Sequence, residues 1–280
     1  MIIDGKKVAQ GILEDIKKQV AKLEIKPAIA VVIVGENPSS KIYVNLKNKK
    51  ATEIGMNSVV IEMPEDTSQQ ELEAKIDELN QNVNINAILV QMPLPKALDA
   101  YKIIEKILPE KDVDGFHPEN VGRLSIGLAP FSYSCTPKGV IRLLDEYNID
   151  LEGKHVVVIG RSNIVGKPLS MMLLARNATV TMAHSKTRNL PLLVKSSDIV
   201  ASAVGSPKLV KKEWIKEGAV VIDVGISRTS EGKIAGDVDF ANVKDKASFI
   251  TPVPGGVGPM TIAMLLENTL NLYYLQKEKK

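Results

Sequence analysis

The chain has 280 residues, enough for two modest domains or one large α/β domain. Its 44% hydrophobic and 25% charged residues are ordinary for a folded globular protein, and a formal net charge of +3 is too small to argue for nucleic acid or an anionic membrane surface. Three histidines and one cysteine, Cys135, leave little material for a metal site or a disulfide framework, so a reducing, cytoplasmic setting is expected. The opening MIIDGKKVAQ puts Asp4, Lys6 and Lys7 where a signal peptide would carry its apolar core. Val8, Ile12, Ile16, Val20 and Leu23 then recur at helical spacing and predict an amphipathic helix. AIAVVIVG (28–35) reads as a strand buried on both faces of a parallel sheet. Ser39 or Ser40 is expected to cap the next helix, which stops at Gly55. NSVVIEM (57–63), a helix around 71–80 and AILVQM (87–92) continue the alternation, followed by several loops around Pro93 and Pro95.

A helix over 137–147 leads into a second series of strands: HVVVIG (155–160), ATVTMAH (178–184), DIVASAVG (198–205), AVVIDVG (219–225) and ASFIT (247–251). Strands alternating with helices predict open parallel sheets, and two such series predict two α/β domains. A last helix over 261–275 has more apolar residues than one face needs, as a segment returning to pack on the first domain would. The Lys-rich tail, 277–280, reads as solvated. No apolar run approaches the roughly 20 residues that span a bilayer. The division expected is 1–138, completed by the returning helix 259–280, and 139–258.

Between strand and helix of the second series stands GRSNIVGKP (160–168). Strand, glycine turn and helix occur in the order that places a pyrophosphate on a helix N-terminus. The match to G-x-G-x-x-G is poor, since Ser162 and Val165 replace the second and third glycines and Gly166 comes one residue later. The next strand ends in His184, Ser185, Lys186 and Thr187, where an NAD-preferring site would carry Asp or Glu. With Arg161 in the first turn, this set suits a 2′-phosphate and favours NADP. Solvated surface charges remain the bland alternative.

In the first series, Ser40, Tyr43 and Lys47 fall at i, i+3 and i+7 and share one helix face. That face is either a polar stripe or the seat of a proton-carrying lysine, a role lysine fills only when its surroundings are tuned for it. Short-chain dehydrogenases also use Tyr-x-x-x-Lys, but downstream of the glycine loop, whereas this pair lies upstream. Gln91 ends an apolar strand, where open α/β sheets place ligand contacts, or simply holds the Pro93–Pro95 bend. DVDG (112–115) reads as an Asp-Gly turn, or as a turn presenting Asp114 to the N–H donors of a heterocycle. Cys135 reads as a small buried residue rather than a nucleophile. TPVPGGVGPMT (251–261) packs three glycines and three prolines into eleven residues and is either a connector or a stiff peptide surface for a flat ligand.

Taken together and in order, Tyr43-x-x-x-Lys47, QMPLP, DVDGFHPENVGRL, CTPKGV, GRSNIVGKP, HSKT, VIDVGI, GDVDF and TPVPGGVGPMT resemble the bifunctional methylenetetrahydrofolate dehydrogenase/cyclohydrolase family over essentially the whole chain. The resemblance implies an N-terminal α/β catalytic and folate domain, a C-terminal Rossmann-like NADP domain with a parallel sheet, a cleft between them, and a homodimer. It implies oxidation of 5,10-methylenetetrahydrofolate followed by hydrolysis to 10-formyltetrahydrofolate. Lys47 matches the family's catalytic lysine, Tyr43 the tyrosine beside the substrate, and Gln91 the glutamine that orients the lysine. Ser40 and Asp114 match substrate-pocket residues. Gly160, Arg161, Ser162, Ser185 and Ile226 match cofactor contacts, and Pro254, Gly255 and Gly258 the peptide wall beside the folate. Met92 stands where leucine is common, a volume-conserving change. Two other readings stay open at this point: a shikimate-type NADP oxidoreductase and a non-catalytic folate- or nucleotide-binding protein.

Overall fold

The structure, a computed structural model, describes residues 1–228 and 232–278, the Ser39 side chain apart; Lys279 and Lys280 of the Lys-rich tail lie outside the described residues. The chain forms two compact units. One comprises residues 11–133 and the described residues from Leu265 onward; the other comprises residues 1–10 and 134–264.

In the first unit, α1 (Gly5–Ala21, its opening residues belonging to the other unit) buries Val8, Ile12, Ile16 and Val20. Strand β1 (Ala28–Val34) has all seven residues buried. It is the centre of a parallel sheet of order β2-β1-β3, with β2 at Asn57–Met63 and β3 at Ala87–Val90. A central parallel strand is covered on both faces, which is why it reads as an unbroken apolar run. Between β1 and β2 lies α2 (Pro38–Glu53). Its cap is Asn37, not Ser39 or Ser40: the Asn37 side chain accepts from the Ser40 amide at 3.1 Å, and Pro38 fills the first helical position, where no N–H is needed.

Helix α3 (Gln69–Gln81) starts with a reciprocal Ser68–Glu71 capping box, a device that contributes about 1 kcal/mol. At its other end the buried Lys111 ammonium donates to the carbonyls of Leu79, Asn80 and Asn82 at 3.0, 2.7 and 2.9 Å, placing a cation on the negative end of the helix. Leu72, Ile76 and Leu79 pack with Ala30, Val32, Ile88 and Val90 to form the core. Two short helices, α4 (Ala100–Lys106) and α5 (Pro118–Ser125), occupy the stretch expected as loops; seven and eight residues are too few to show a helical period.

The second unit opens with α6 (Cys135–Glu146). There follow β4 (His155–Ile159), α7 (Gly166–Leu174), β5 (Thr179–Ala183), α8 (Leu190–Lys195), β6 (Ile199–Ser202) and β7 (Val220–Asp223). A small antiparallel pair, β8 (Ser227–Arg228) and β9 (Ile234–Ala235), precedes α9 (Phe240–Val243) and β10 (Phe249–Ile250). The main sheet is five-stranded and parallel, of order β10-β7-β6-β4-β5, the α/β arrangement that the alternation predicts. Residues 1–10 cluster with this unit because they run along β10. Ile2 bridges Ile250, the Ile3 amide donates to the Ile250 carbonyl at 2.8 Å, and the Asp4 amide donates to the Tyr147 hydroxyl at 2.7 Å.

The last helix, α10 (Val257–Glu278), starts four residues before the expected Thr261. The second half of the Gly/Pro stretch is therefore helical. No described helix is long and apolar enough to cross a membrane.

Candidate active site

Ligand sites of open parallel sheets lie beyond the carboxyl ends of the strands. In the first unit that end is marked by Gln91, whose backbone amide donates to the Val32 carbonyl at 2.8 Å and so continues the β1–β3 ladder one residue past Val90. Helix α2, which leaves the same end of β1, carries Lys47. The Lys47 ammonium donates to Gln91 Oε1 at 3.0 Å. Gln91 Nε2 donates to the Met92 carbonyl at 2.7 Å, which fixes the amide with its oxygen toward the lysine. Lys47 and Gln91 are both half-buried, so the pair is partly shielded from water. On the same helix face Ser40 is buried, and Tyr43 is 45% exposed, leaving a phenol ring open to a ligand.

Asp114 follows an extended segment that lies parallel to β3. The Ile88 amide donates to the Lys111 carbonyl at 2.7 Å, and Ile88 bridges Asp112. The half-buried Asp114 thus lies two residues further toward the carboxyl end that also presents Gln91. Asp112 is the turn residue of DVDG. Its buried carboxylate accepts from the amides of Gly115 (3.1 Å) and His117 (2.8 Å) and from Asn120 Nδ2 (2.9 Å). Burial pushes its carboxyl up to about 6, with the charge of Asp114 adding to the shift and the N–H donors opposing it. From α10, Asn268 Nδ2 donates to the carbonyls of Val113 and Tyr133 at 2.9 and 2.8 Å and pins the same segment. Neither brace was singled out in the sequence. An Asp three residues before Gly, as Asp112 stands before Gly115, is a usable signal for the first; nothing local marks Asn268.

In the second unit Gly160 has φ +129°, and a Cβ there would sit 2.6 Å from the Ala203 carbonyl oxygen. A Cβ on Gly166 would overlap the Gly160 carbonyl. Gly166 thus performs the close strand–helix packing of a third fingerprint glycine, one residue late. Ser162 Oγ accepts from the amides of Val165 (3.1 Å) and Gly166 (3.3 Å), so it holds the turn that leads into α7 and satisfies the helix's first amide. Arg161 and Ser162 are exposed at this turn. At the end of β5 the His184 amide donates to Thr187 Oγ1 (2.9 Å) and the Lys186 amide to His184 Nδ1 (3.1 Å), a tight turn that leaves Ser185 and Lys186 exposed. Ile226, just past β7, is 49% exposed. The turn has the shape and charge for a phosphorylated dinucleotide: two glycines that admit no side chain, a helix N-terminus and two nearby cations.

The Gly/Pro stretch belongs to the same unit. Thr251 Oγ1 accepts from the Asp223 amide at 2.7 Å, and Gly255 has φ +111°. The Lys6 amide donates to the Gly255 carbonyl at 3.1 Å. Pro254 is exposed and Gly255 half-buried, while Gly258 lies in the first turn of α10, where a Cβ would sit 3.6 Å from Ile226 Cδ1. Among the described residues, no group of His, Cys, Asp and Glu is placed to hold a metal ion.

Residues 3–114 match the family model described as tetrahydrofolate dehydrogenase/cyclohydrolase, catalytic domain, and residues 134–277 match its NAD(P)-binding domain. The bifunctional protein FolD of Thermodesulfovibrio yellowstonii is 56% identical over 279 residues, covering 99% of this chain and 97% of that protein. The crystal structure of the bifunctional FolD methylenetetrahydrofolate dehydrogenase/cyclohydrolase from Campylobacter jejuni superposes with a TM-score of 0.97 at 47% identity, covering 100% of this chain and 99% of the other. That of the Trypanosoma brucei enzyme, complexed with NADP cofactor and inhibitor, has a TM-score of 0.94 at 40% identity and covers 98% and 97%. The Lys47–Gln91 pair, the glycine turn and the Gly/Pro stretch therefore stand in a chain that belongs to the tetrahydrofolate dehydrogenase/cyclohydrolase family.

Proposed function

We propose that this protein is a bifunctional enzyme of one-carbon folate metabolism. It oxidises 5,10-methylenetetrahydrofolate to 5,10-methenyltetrahydrofolate with NADP, then hydrolyses that product to 10-formyltetrahydrofolate. The observation that carries the reading is the Lys47–Gln91 hydrogen bond of 3.0 Å at the ligand-binding end of the sheet, in a chain of this family. The catalytic and folate functions are assigned to 1–138 with 259–280, and the dinucleotide function to 139–258.

Bound to the second unit, NADP supplies the acceptor for the hydride that leaves the one-carbon bridge. Gly160 and Ser162 lie at the turn that receives the pyrophosphate, and Arg161 with Ser185 receives the 2′-phosphate, with Lys186 adding charge. Ile226 would supply an apolar contact to the cofactor. The oxidation requires rings held face to face more than it requires an acid or base. Pro254, Gly255 and Gly258 supply a rigid peptide surface to the folate, Tyr43 a ring to stack on, and Ser40 a hydroxyl. Asp114 accepts from the pterin N–H donors in a charge-assisted pair.

Hydrolysis is where proton transfer enters. Water adds to the methenyl carbon and loses a proton to give a neutral hydroxyl adduct. The bond from that carbon to N5 then breaks as N5 takes up a proton and the adduct's hydroxyl gives up its own to become the formyl carbonyl on N10, so one proton is released overall. One group that takes a proton and returns it serves both steps. Lys47 Nζ is assigned that role, and Gln91 holds it in place through its amide oxygen. The single, buried Cys135 suits a reducing cytoplasmic compartment, and the family resemblance supports a homodimer.

A spectrophotometric assay tests the reading. With methylenetetrahydrofolate and NADP the purified protein should generate NADPH absorbance, and with NAD at the same concentration much less. No reduced nucleotide with either cofactor would rule out the dehydrogenase assignment, and equal rates would rule out the NADP preference.

A further inference from the structure

Two carboxylates of the second unit, Asp223 and Asp237, are buried and contribute to none of the contacts assigned above. Asp237 is fully buried and accepts three hydrogen bonds, all from the strand β6 end and the loop after it. Ser202 Oγ donates to Oδ2 at 3.0 Å, the Val204 amide to Oδ2 at 2.8 Å and the Ser206 amide to Oδ1 at 2.7 Å. Asp223 ends β7. It accepts from the Gly225 amide (3.1 Å), the Asp237 amide (2.9 Å) and the Val238 amide (2.9 Å). Asp223 thus holds the segment that carries Asp237, and Asp237 holds the loop beyond β6.

Both loops leave the carboxyl ends of adjacent central strands, the edge at which a parallel sheet presents a dinucleotide. Val204, Gly205 and Ser206 are exposed, as is Ile226. Ser227 Oγ donates to the Gly205 carbonyl at 2.9 Å and ties one loop to the other. Gly160 of the phosphate turn abuts the Ala203 carbonyl. The glycines are shaped around the carboxylates as well. A Cβ on Gly225 would overlap the Asp237 carboxylate, and one on Gly236 the Asp223 carboxylate. Burying a carboxylate carries a large desolvation cost, and at Asp223 the N–H donors only partly offset it.

We propose that Asp237, supported by Asp223, is a positioning residue for NADP: the carboxylate brace sets loops 203–206 and 225–227 at the spacing the nucleotide requires. This rests on the NADP site proposed above. Asn at 237 keeps one acceptor but turns an amide N–H₂ toward an N–H or O–H donor, so the loop must shift.

The test uses the full-length enzyme and measures NADP binding by calorimetry, the dehydrogenase KM for NADP, and hydrolysis of methenyltetrahydrofolate without nucleotide. Asp237→Asn and, independently, Gly225→Ala should each weaken NADP about tenfold or more, the size expected for an unmade buried hydrogen bond. Hydrolysis without nucleotide should stay within about twofold of the parent. Asp198→Asn is the control. Asp198 sits at the opposite, amino end of the same sheet, accepts from the His155 amide at 3.0 Å, and should leave NADP affinity unchanged. Parent-like NADP affinity in both variants would overturn the proposal. So would an equal loss in Asp198→Asn, or hydrolysis falling in step with NADP affinity. Should Asp237→Asn fail to fold, Gly225→Ala decides alone. A parent enzyme that does not bind NADP would instead sink the cofactor site itself, and the brace with it.

Discussion

At the residue scale the molecule spends buried polar groups on holding loops. Asp112 is the clearest case for a pH measurement, because its carboxyl is pushed up to about 6 from an ordinary 3.8. The folded chain therefore holds this proton more tightly than the unfolded chain does. Stability contributed by the group grows as pH falls from about 6 toward about 4, and is absent above that window, where an ionised carboxylate stays buried. Asp112→Asn carries no titrating group at this position, so the titrations of groups that do not interact with it, Asp223 included, cancel in the difference between parent and variant. The melting temperature of the parent minus that of the variant should rise on acidification across the window. A difference that is flat with pH, or that falls, would contradict the assignment. Lys47 and Gln91 were visible in the sequence because a strand end and a helix face are both periodic features. Asp237 and Asn268 were not, because their partners lie far along the chain and only the folded chain brings them near; Asp112 reads as no more than a turn residue, although its partners Gly115, His117 and Asn120 are local. Asp237 receives an amide from 33 residues upstream, and Asn268 donates to a carbonyl 155 residues away.

At the scale of elements, the strands were the most legible. Each buried strand is an apolar run with β-branched residues, and the helices between them recur at loop lengths that parallel sheets require. Element starts were less so. Helix α2 is capped from Asn37 rather than from a serine, and α10 begins at Val257, inside the Gly/Pro stretch. Glycines and prolines are read as breakers, yet the first turn of a helix tolerates both, since its amides have no internal partner. This sharpens what Thr251–Thr261 does. Its first half is a fixed peptide surface held by Thr251 and by the Lys6–Gly255 hydrogen bond, and its second half launches the helix. Gly255→Val puts a β-branched residue at φ +111°, a conformation that costs such residues about 1–3 kcal/mol. Dehydrogenase and hydrolase rates should fall together in this variant, with a matching loss of stability in denaturant titration. Loss of only one activity would mean that the stretch does not serve a surface common to both reactions.

At the scale of the whole molecule, family membership was legible from the order of nine short motifs, and the matches to 3–114 and 134–277 agree with it. The path of residues 1–10 was not legible. They read as the start of the first α/β series, yet they pair with β10 near the end of the second. Such pairing between distant segments leaves no local signature. One chain carries two reactions with different needs: ring apposition for the oxidation, a proton carrier for the hydrolysis. Lys47→Met separates them, since it removes the amine and keeps most of the side-chain volume. The decisive measurement is the hydrolysis of methenyltetrahydrofolate by this variant, made beside its affinity for the folate. Hydrolysis should fall at least about a hundredfold, the usual size of a lost general acid–base group, with folate still bound. Hydrolysis at the parent's rate would contradict that role for Lys47.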